Sequence, residues 1–145
     1  MRPLLVGELN PYGGDPRRAL YPLPKNSAGG RLCRKVLGLG PVEYLRRFDR
    51  RNLCVGSWTN RAARAAASEI AANLKPDSKL VLLGAKVCAA FGWRYEPFDL
   101  RLVGADLVPL VILPHPSGRC RTWNDPDSYH RAREALRRAG IEVPS

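Results

Sequence analysis

The sequence predicts an α/β protein: a three-layer α/β/α sandwich around a four-stranded parallel sheet. Three observations carry that prediction. Apolar runs at 3–7, 52–55, 79–83 and 107–113 alternate with stretches of helical pattern, the mark of strands joined by helical crossovers. The runs at 79–83 and 107–113 are continuous, as expected of parallel strands covered on both faces. Gly56, Gly84 and Pro114 punctuate the ends of the second, third and fourth runs. At 145 residues the chain is long enough for a sizeable core and is expected to form one domain, 1–145.

The first strand, 3–7, discharges into Glu8-Leu9-Asn10-Pro11-Tyr12-Gly13-Gly14-Asp15-Pro16, a loop dense in turn formers. Tyr21-Pro22-Leu23-Pro24 cannot be helix or central strand and reads as extended loop. Ser27-Ala28-Gly29-Gly30 opens a helix over 31–37 that Gly38 closes. A short helix over 42–48 carries Arg46 and Arg47 on its outer side. The strand at 52–55 follows Arg50 and Arg51 and stops at Gly56-Ser57. Thr59 or Asn60 caps an Ala-rich helix over 61–74, ended by Pro76-Asp77. The strand at 79–83 turns through Gly84-Ala85 into a helix over 86–91. Residues 93–104 read as irregular or as a short hairpin. The strand at 107–113 leads into Pro114-His115-Pro116-Ser117-Gly118-Arg119, and a last helix, capped by Asp125 or Asp127, extends to about Ala139 before Gly140.

Lys and Arg total 24 against 13 Asp and Glu, a net charge of +11. Such an excess favours a polyanionic partner, of which nucleic acid is the commonest. No basic amphipathic helix suits a membrane surface, and no segment nears the roughly 18 apolar residues of a spanning helix. The stretch Leu4-Leu5-Val6 is cut off by Glu8 too early for a secretory leader. Cys33, Cys54, Cys88 and Cys120 are widely spaced, with no Cys-x-x-Cys pair. No metal site is expected from them; reduced, mostly buried thiols in the cytoplasm are.

A His between two prolines, followed by Ser-Gly-Arg, makes a stiff loop at the carboxyl end of a strand, where open α/β sheets bind ligands. Asn10, Asn52 and His115 are each expected at the carboxyl end of a different strand, so a rigid sheet would gather them at one crevice. Each also has an ordinary structural use. Asn10 before Pro starts a turn, Asn52 can pair with backbone in a core, and a His in such a loop can lie idle at the surface. Convergence on a strongly basic chain is what favours function.

In this order, the residues resemble the uracil-DNA glycosylase superfamily. Gly7-Glu8-Leu9-Asn10-Pro11 resembles its first motif, a Gly and an Asn or Asp before Pro, with one residue more than the usual spacing, which is expected to reshape the loop. His115-Pro116-Ser117-Gly118-Arg119 resembles its last motif. Asn52-Leu53-Cys54 is similar to the Asn-x-Cys strand of the single-strand-selective monofunctional class. Ser27-Ala28-Gly29-Gly30-Arg31-Leu32 and Leu82-Leu83-Gly84-Ala85 resemble segments of the thermostable iron–sulfur class, whose four-cysteine arrangement this chain does not reproduce.

The resemblance implies a glycosylase-like fold and a monofunctional enzyme. It would hydrolyse the N-glycosidic bond of uracil, or of a related pyrimidine lesion, flipped out of DNA, leaving an abasic site without cofactor or metal. Asn10 would orient the water that attacks the sugar C1′. His115 would donate to the base O2 and stabilise the charge growing there, a contribution of about 3–4 kcal/mol. Asn52 would read the Watson–Crick edge with the donor and acceptor of its amide. Tyr12, after the motif's Pro, would crowd the 5-position and favour uracil over 5-substituted bases, and Tyr21 would lie under the base. Ser117 and Gly118 would grip a flanking phosphate, and Arg119 would fill the gap left by the flipped nucleotide or touch its phosphate. Arg17, Arg18, Lys25, Arg50 and Arg121 would contact further phosphates, so that affinity falls with salt. No Lys stands in the motifs as a Schiff-base nucleophile, so strand cleavage is not expected. The implied partner is uracil-containing DNA, single- or double-stranded, bound by a monomer in the cytoplasm at the nucleoid, with no membrane. Two other readings stay open. One is a noncatalytic or modified-base-specific DNA-binding sensor using the same pocket. The other is an enzyme of free nucleosides or nucleotides, which a charge of +11 disfavours.

Overall fold

The computed structural model describes residues 1–10 and 15–144, with Asn10 described as backbone only. Strands β1 (Leu4–Asn10), β2 (Asp49–Val55), β3 (Leu80–Leu83), β4 (Leu100–Val103) and β5 (Val108–Leu113) form one sheet in the order β2-β1-β3-β5-β4. The first four in that order run parallel, and β4 pairs antiparallel with β5. The four-stranded parallel sheet expected from sequence is therefore corrected to a five-stranded mixed one. The extra strand lies in 93–104. It is four residues long, interrupted by Arg101 and paired on one side only, so it carries little apolar pattern.

The strands alternate cleanly between two cores. Leu5, Val81, Leu83, Val111 and Leu113 face one layer, and Val6, Leu80, Leu82, Leu110 and Ile112 face the other. The first core is covered by α1 (Ala28–Arg31), which continues as a π-helical turn over Leu32–Val36, with α2 (Pro41–Arg47) and α5 (Asp127–Arg138). The second is covered by α3 (Asn60–Ala72) and α4 (Ala85–Ala90). Two helix starts follow side-chain capping: the Ser27 hydroxyl accepts from Gly30 N–H, and of the two candidates it is Thr59 that accepts from Ala62 N–H. Asp125 accepts from Asp127 N–H at 3.0 Å ahead of α5.

Two strand boundaries differ from expectation, and both matter for the site. β1 does not stop at Gly7 but continues through Glu8 to Asn10, and β2 starts at Asp49 rather than Asn52. The ladder pairs Leu4 with Asp49, Gly7 with Asn52 and Asn10 with Val55, a constant register. Residues Gly7 to Asn10 are thus regular strand, and the loop expected to be reshaped from Pro11 onward lies outside the described residues. Polar Glu8, Arg50 and Arg51 masked the pattern, because β2 is an edge strand and β1 emerges from the core before it ends. Among the described residues, no helix is long and apolar enough to cross a membrane.

Candidate active site

The strand order reverses between β1 and β3: the chain leaves β1 for β2 on one side, then returns to place β3 on the other. In a parallel sheet that reversal opens a crevice at the carboxyl edge. Three strands meet there. Glu8 rises from β1, Gly84 follows β3, and His115 follows β5 after Pro114. Gly84 makes the meeting possible. Its φ of +99° suits glycine, and a Cβ there would lie 3.3 Å from His115 Cβ and 3.4 Å from Glu8 Oε1. Glu8 Oε2 and His115 Nε2 come to 3.9 Å across it.

The His115 ring is held from behind. Its backbone carbonyl accepts from Trp123 Nε1–H at 2.8 Å, and Trp123 is itself clamped between Phe98 and Tyr129. Ser117 N–H donates to His115 Nδ1 at 3.2 Å. A nitrogen that accepts carries no proton, so the neutral imidazole bears its hydrogen on Nε2, the atom turned toward Glu8. Burial pushes the imidazolium below the ordinary histidine value of 6.5; the Glu8 carboxylate opposes this and Lys86 adds to it. At neutral pH the group is therefore a neutral Nε2–H donor.

Asn52 reaches the same cleft from the middle of β2, not from its carboxyl end as expected. It does so by lying directly over Gly7, its ladder partner: a Cβ on Gly7 would stand 2.4 Å from Asn52 Oδ1. Among the described residues, no hydrogen bond occupies the Asn52 carboxamide. The cleft encloses about 310 Å³. Glu8, Asn52 and His115, each partly exposed, line it with polar groups; Leu9, Leu20, Tyr21 and Leu23 add apolar lining, and the exposed Arg18 borders it. Leu20 holds a left-handed φ of +50°, and its carbonyl accepts from the buried Tyr44 hydroxyl at 2.8 Å. Ser27, Ala28 and Gly29 complete the lining at the start of α1, where the absence of a Cβ on Gly29 lets the helix abut the Leu20–Tyr21 backbone.

The structure thus gathers Asn52, His115, Tyr21 and Arg18 in one cleft and places Ser117 against His115. Gly118 is exposed, with the Arg31 guanidinium 3.6 Å from where its Cβ would be. Arg119, Arg121 and Lys25 are exposed. Arg17 is held in a two-toothed pair with Asp15, at 3.1 Å on each contact. Arg50 is used within the fold: its Nη1 donates to the carbonyls of Arg17 and Ala19, at 3.1 and 2.8 Å, under the Tyr21 ring. One nitrogen of the guanidinium expected from sequence to contact phosphate is thus engaged with backbone. Tyr12 lies outside the described residues, as does the side chain of Asn10. Among the described residues, no three His, Cys, Asp or Glu side chains group closely enough to hold a metal ion.

Glu8 is the site residue that sequence reasoning missed. Its signal was present: one carboxylate next to a Gly, at the end of an otherwise apolar buried strand. A boundary drawn at Gly7 turned it into loop. Compared with known proteins, the chain matches no family model and no curated protein.

Proposed function

We propose that the chain is a monofunctional DNA glycosylase with a uracil-DNA glycosylase-like fold, acting on uracil flipped out of DNA in the cytoplasm. One observation carries this reading: a neutral imidazole donor, a carboxylate and a carboxamide with no partner among the described residues share one cleft at the switch point of the sheet. Asn52 matches the donor–acceptor edge of uracil, and Tyr21 with Leu20 gives its ring an apolar wall. As the C1′–N1 bond breaks, its electron pair leaves with the base and charge gathers on O2. The His115 Nε2–H donates to that oxygen, in a site where a fixed donor acts more strongly than in water. A water molecule adds its oxygen to C1′ and gives its proton to the Glu8 carboxylate, with Asn10 orienting it. The released uracil anion then takes up a proton as Glu8 gives its own back to solvent, leaving free uracil and an abasic sugar, with the DNA strand intact.

Variants at the two groups test the reading. His115→Ala and Glu8→Gln should each lower uracil excision from a single-stranded oligonucleotide about 100-fold or more, with circular dichroism unchanged. Wild-type rates in either folded variant contradict the role given to that residue.

A further inference from the structure

Trp58 has no part in the proposed reaction, yet it stands half-buried on the carboxyl side of the sheet, just past the end of β2. Its indole Nε1–H donates to Asn60 Oδ1 at 3.1 Å, which fixes the ring's orientation. The Lys86 ammonium lies 5.6 Å from the ring centroid. Between them is a depression of about 140 Å³ with a floor of Ala63, Ala89 and Ala90 and with Arg64 on its rim. Small side chains, one fixed aromatic face and two cations make a shelf for a flat, apolar ring that carries an anion.

The shelf and the cleft share no lining residue and are linked through Lys86. Lys86 follows Gly84-Ala85, the turn that touches both His115 and Glu8, and its charge is felt by the His115 ring. Lys86 is thus the residue common to both places: its charge acts on the His115 ring in the cleft, and its ammonium stands over the Trp58 ring on the shelf.

We propose that this shelf is a second nucleotide subsite, in which a base of single-stranded DNA flanking the excised nucleotide stacks on Trp58 while Lys86 and Arg64 take its phosphates. The proposal rests on the glycosylase reading for the nucleotide in the cleft. Two physical arguments favour single strands. A base inside a duplex has both faces covered by its neighbours, whereas an unpaired base presents a free face to an indole, and such stacks tolerate any sequence. The Lys86 stem is long and flexible, so its ammonium can leave the ring for a phosphate when a base arrives.

The test is the affinity of the whole chain for labelled, uracil-free oligothymidylate, measured by fluorescence anisotropy. Trp58→Ala should weaken binding about tenfold, the effect of losing one stack, and Trp58→Phe should keep most of the affinity. The double variant Lys86→Gln/Arg64→Gln should flatten the slope of log affinity against log salt by about 1.4, at about 0.7 for each phosphate released. Duplex DNA should not distinguish Trp58→Ala from wild type. Equal single-strand affinity for wild type and a folded Trp58→Ala overturns the proposal, as does an equal loss on duplex, which is what a purely structural Trp58 would give. If Trp58→Ala does not fold, an unchanged salt slope in the charge double overturns it. The glycosylase reading fails separately: no base release from a uracil oligonucleotide, with Trp58-dependent binding intact, refutes that reading and leaves the shelf.

Discussion

At the scale of single residues, the site depends on which form of His115 is present. Its Nδ1 is occupied by the Ser117 amide and its ring is partly desolvated, so the charged form is disfavoured. Under the proposed reaction, the neutral form is the one present at neutral pH to donate to the departing base. The sign follows directly. With the folded value below 6.5, the unfolded chain binds the proton more readily in the window just under 6.5, so this residue's effect on stability is a loss as pH falls through that window. An NMR titration, with the ring signal assigned by its absence in His115→Ala, should place His115 below 6.5. Glu8→Gln should move it lower still, because the carboxylate is the group that raises it. A His115 that titrates above 6.5, or one that rises in Glu8→Gln, contradicts this electrostatic account.

At the scale of elements, positioning comes from close backbone approach between neighbouring strands. Gly7 on β1 leaves the space in which Asn52 of β2 lies; in a Gly7→Ala variant the closest obstruction is the end of the movable Asn52 side chain, with Leu20 Cδ2 and Cγ next at 3.1 and 3.3 Å. That substitution should therefore displace the carboxamide more than it disturbs the fold. Excision should fall about tenfold or more while the melting temperature changes little, and a variant with full activity would show that Asn52 does not read the base. The same elements show what was legible in the sequence. β3 and β5 were readable because they are covered on both faces and uniformly apolar. So were α3 and the start of α1, whose caps are local chemistry at Thr59 and Ser27. The ends of β1 and β2 were not, because their pairing partner rather than their own pattern makes Glu8 and Arg50 strand residues. β4 was hidden for the same reason. The cleft's members Asn52 and His115 could be named from sequence, but Glu8 needed the register, and the use of Arg50 within the fold needed the Arg17 and Ala19 carbonyls to be in view.

At the scale of the whole molecule, the chain carries a net charge of +11, which under the proposed function serves a polyanionic partner, and its cations divide into two kinds. Arg18, Lys25, Arg119 and Arg121 are exposed, whereas Arg50 is engaged with backbone. If about five phosphates are neutralised on a single strand, affinity should fall on the order of 100-fold between about 50 and about 200 mM salt. Arg119→Ala and Arg121→Ala should each flatten that dependence by about 0.7, while Arg50→Ala should lower the melting temperature and leave the slope nearly unchanged. A slope altered by Arg50→Ala alone would reverse that division. The most direct measurement on the central claim is the product formed by the wild-type chain from a single-stranded oligonucleotide with one radiolabelled uracil. The account predicts free labelled uracil and an unbroken strand that alkali then cleaves at the abasic position. Tight binding of that oligonucleotide with all label retained in the strand contradicts it, and would make the cleft a sensor of bases rather than an enzyme site.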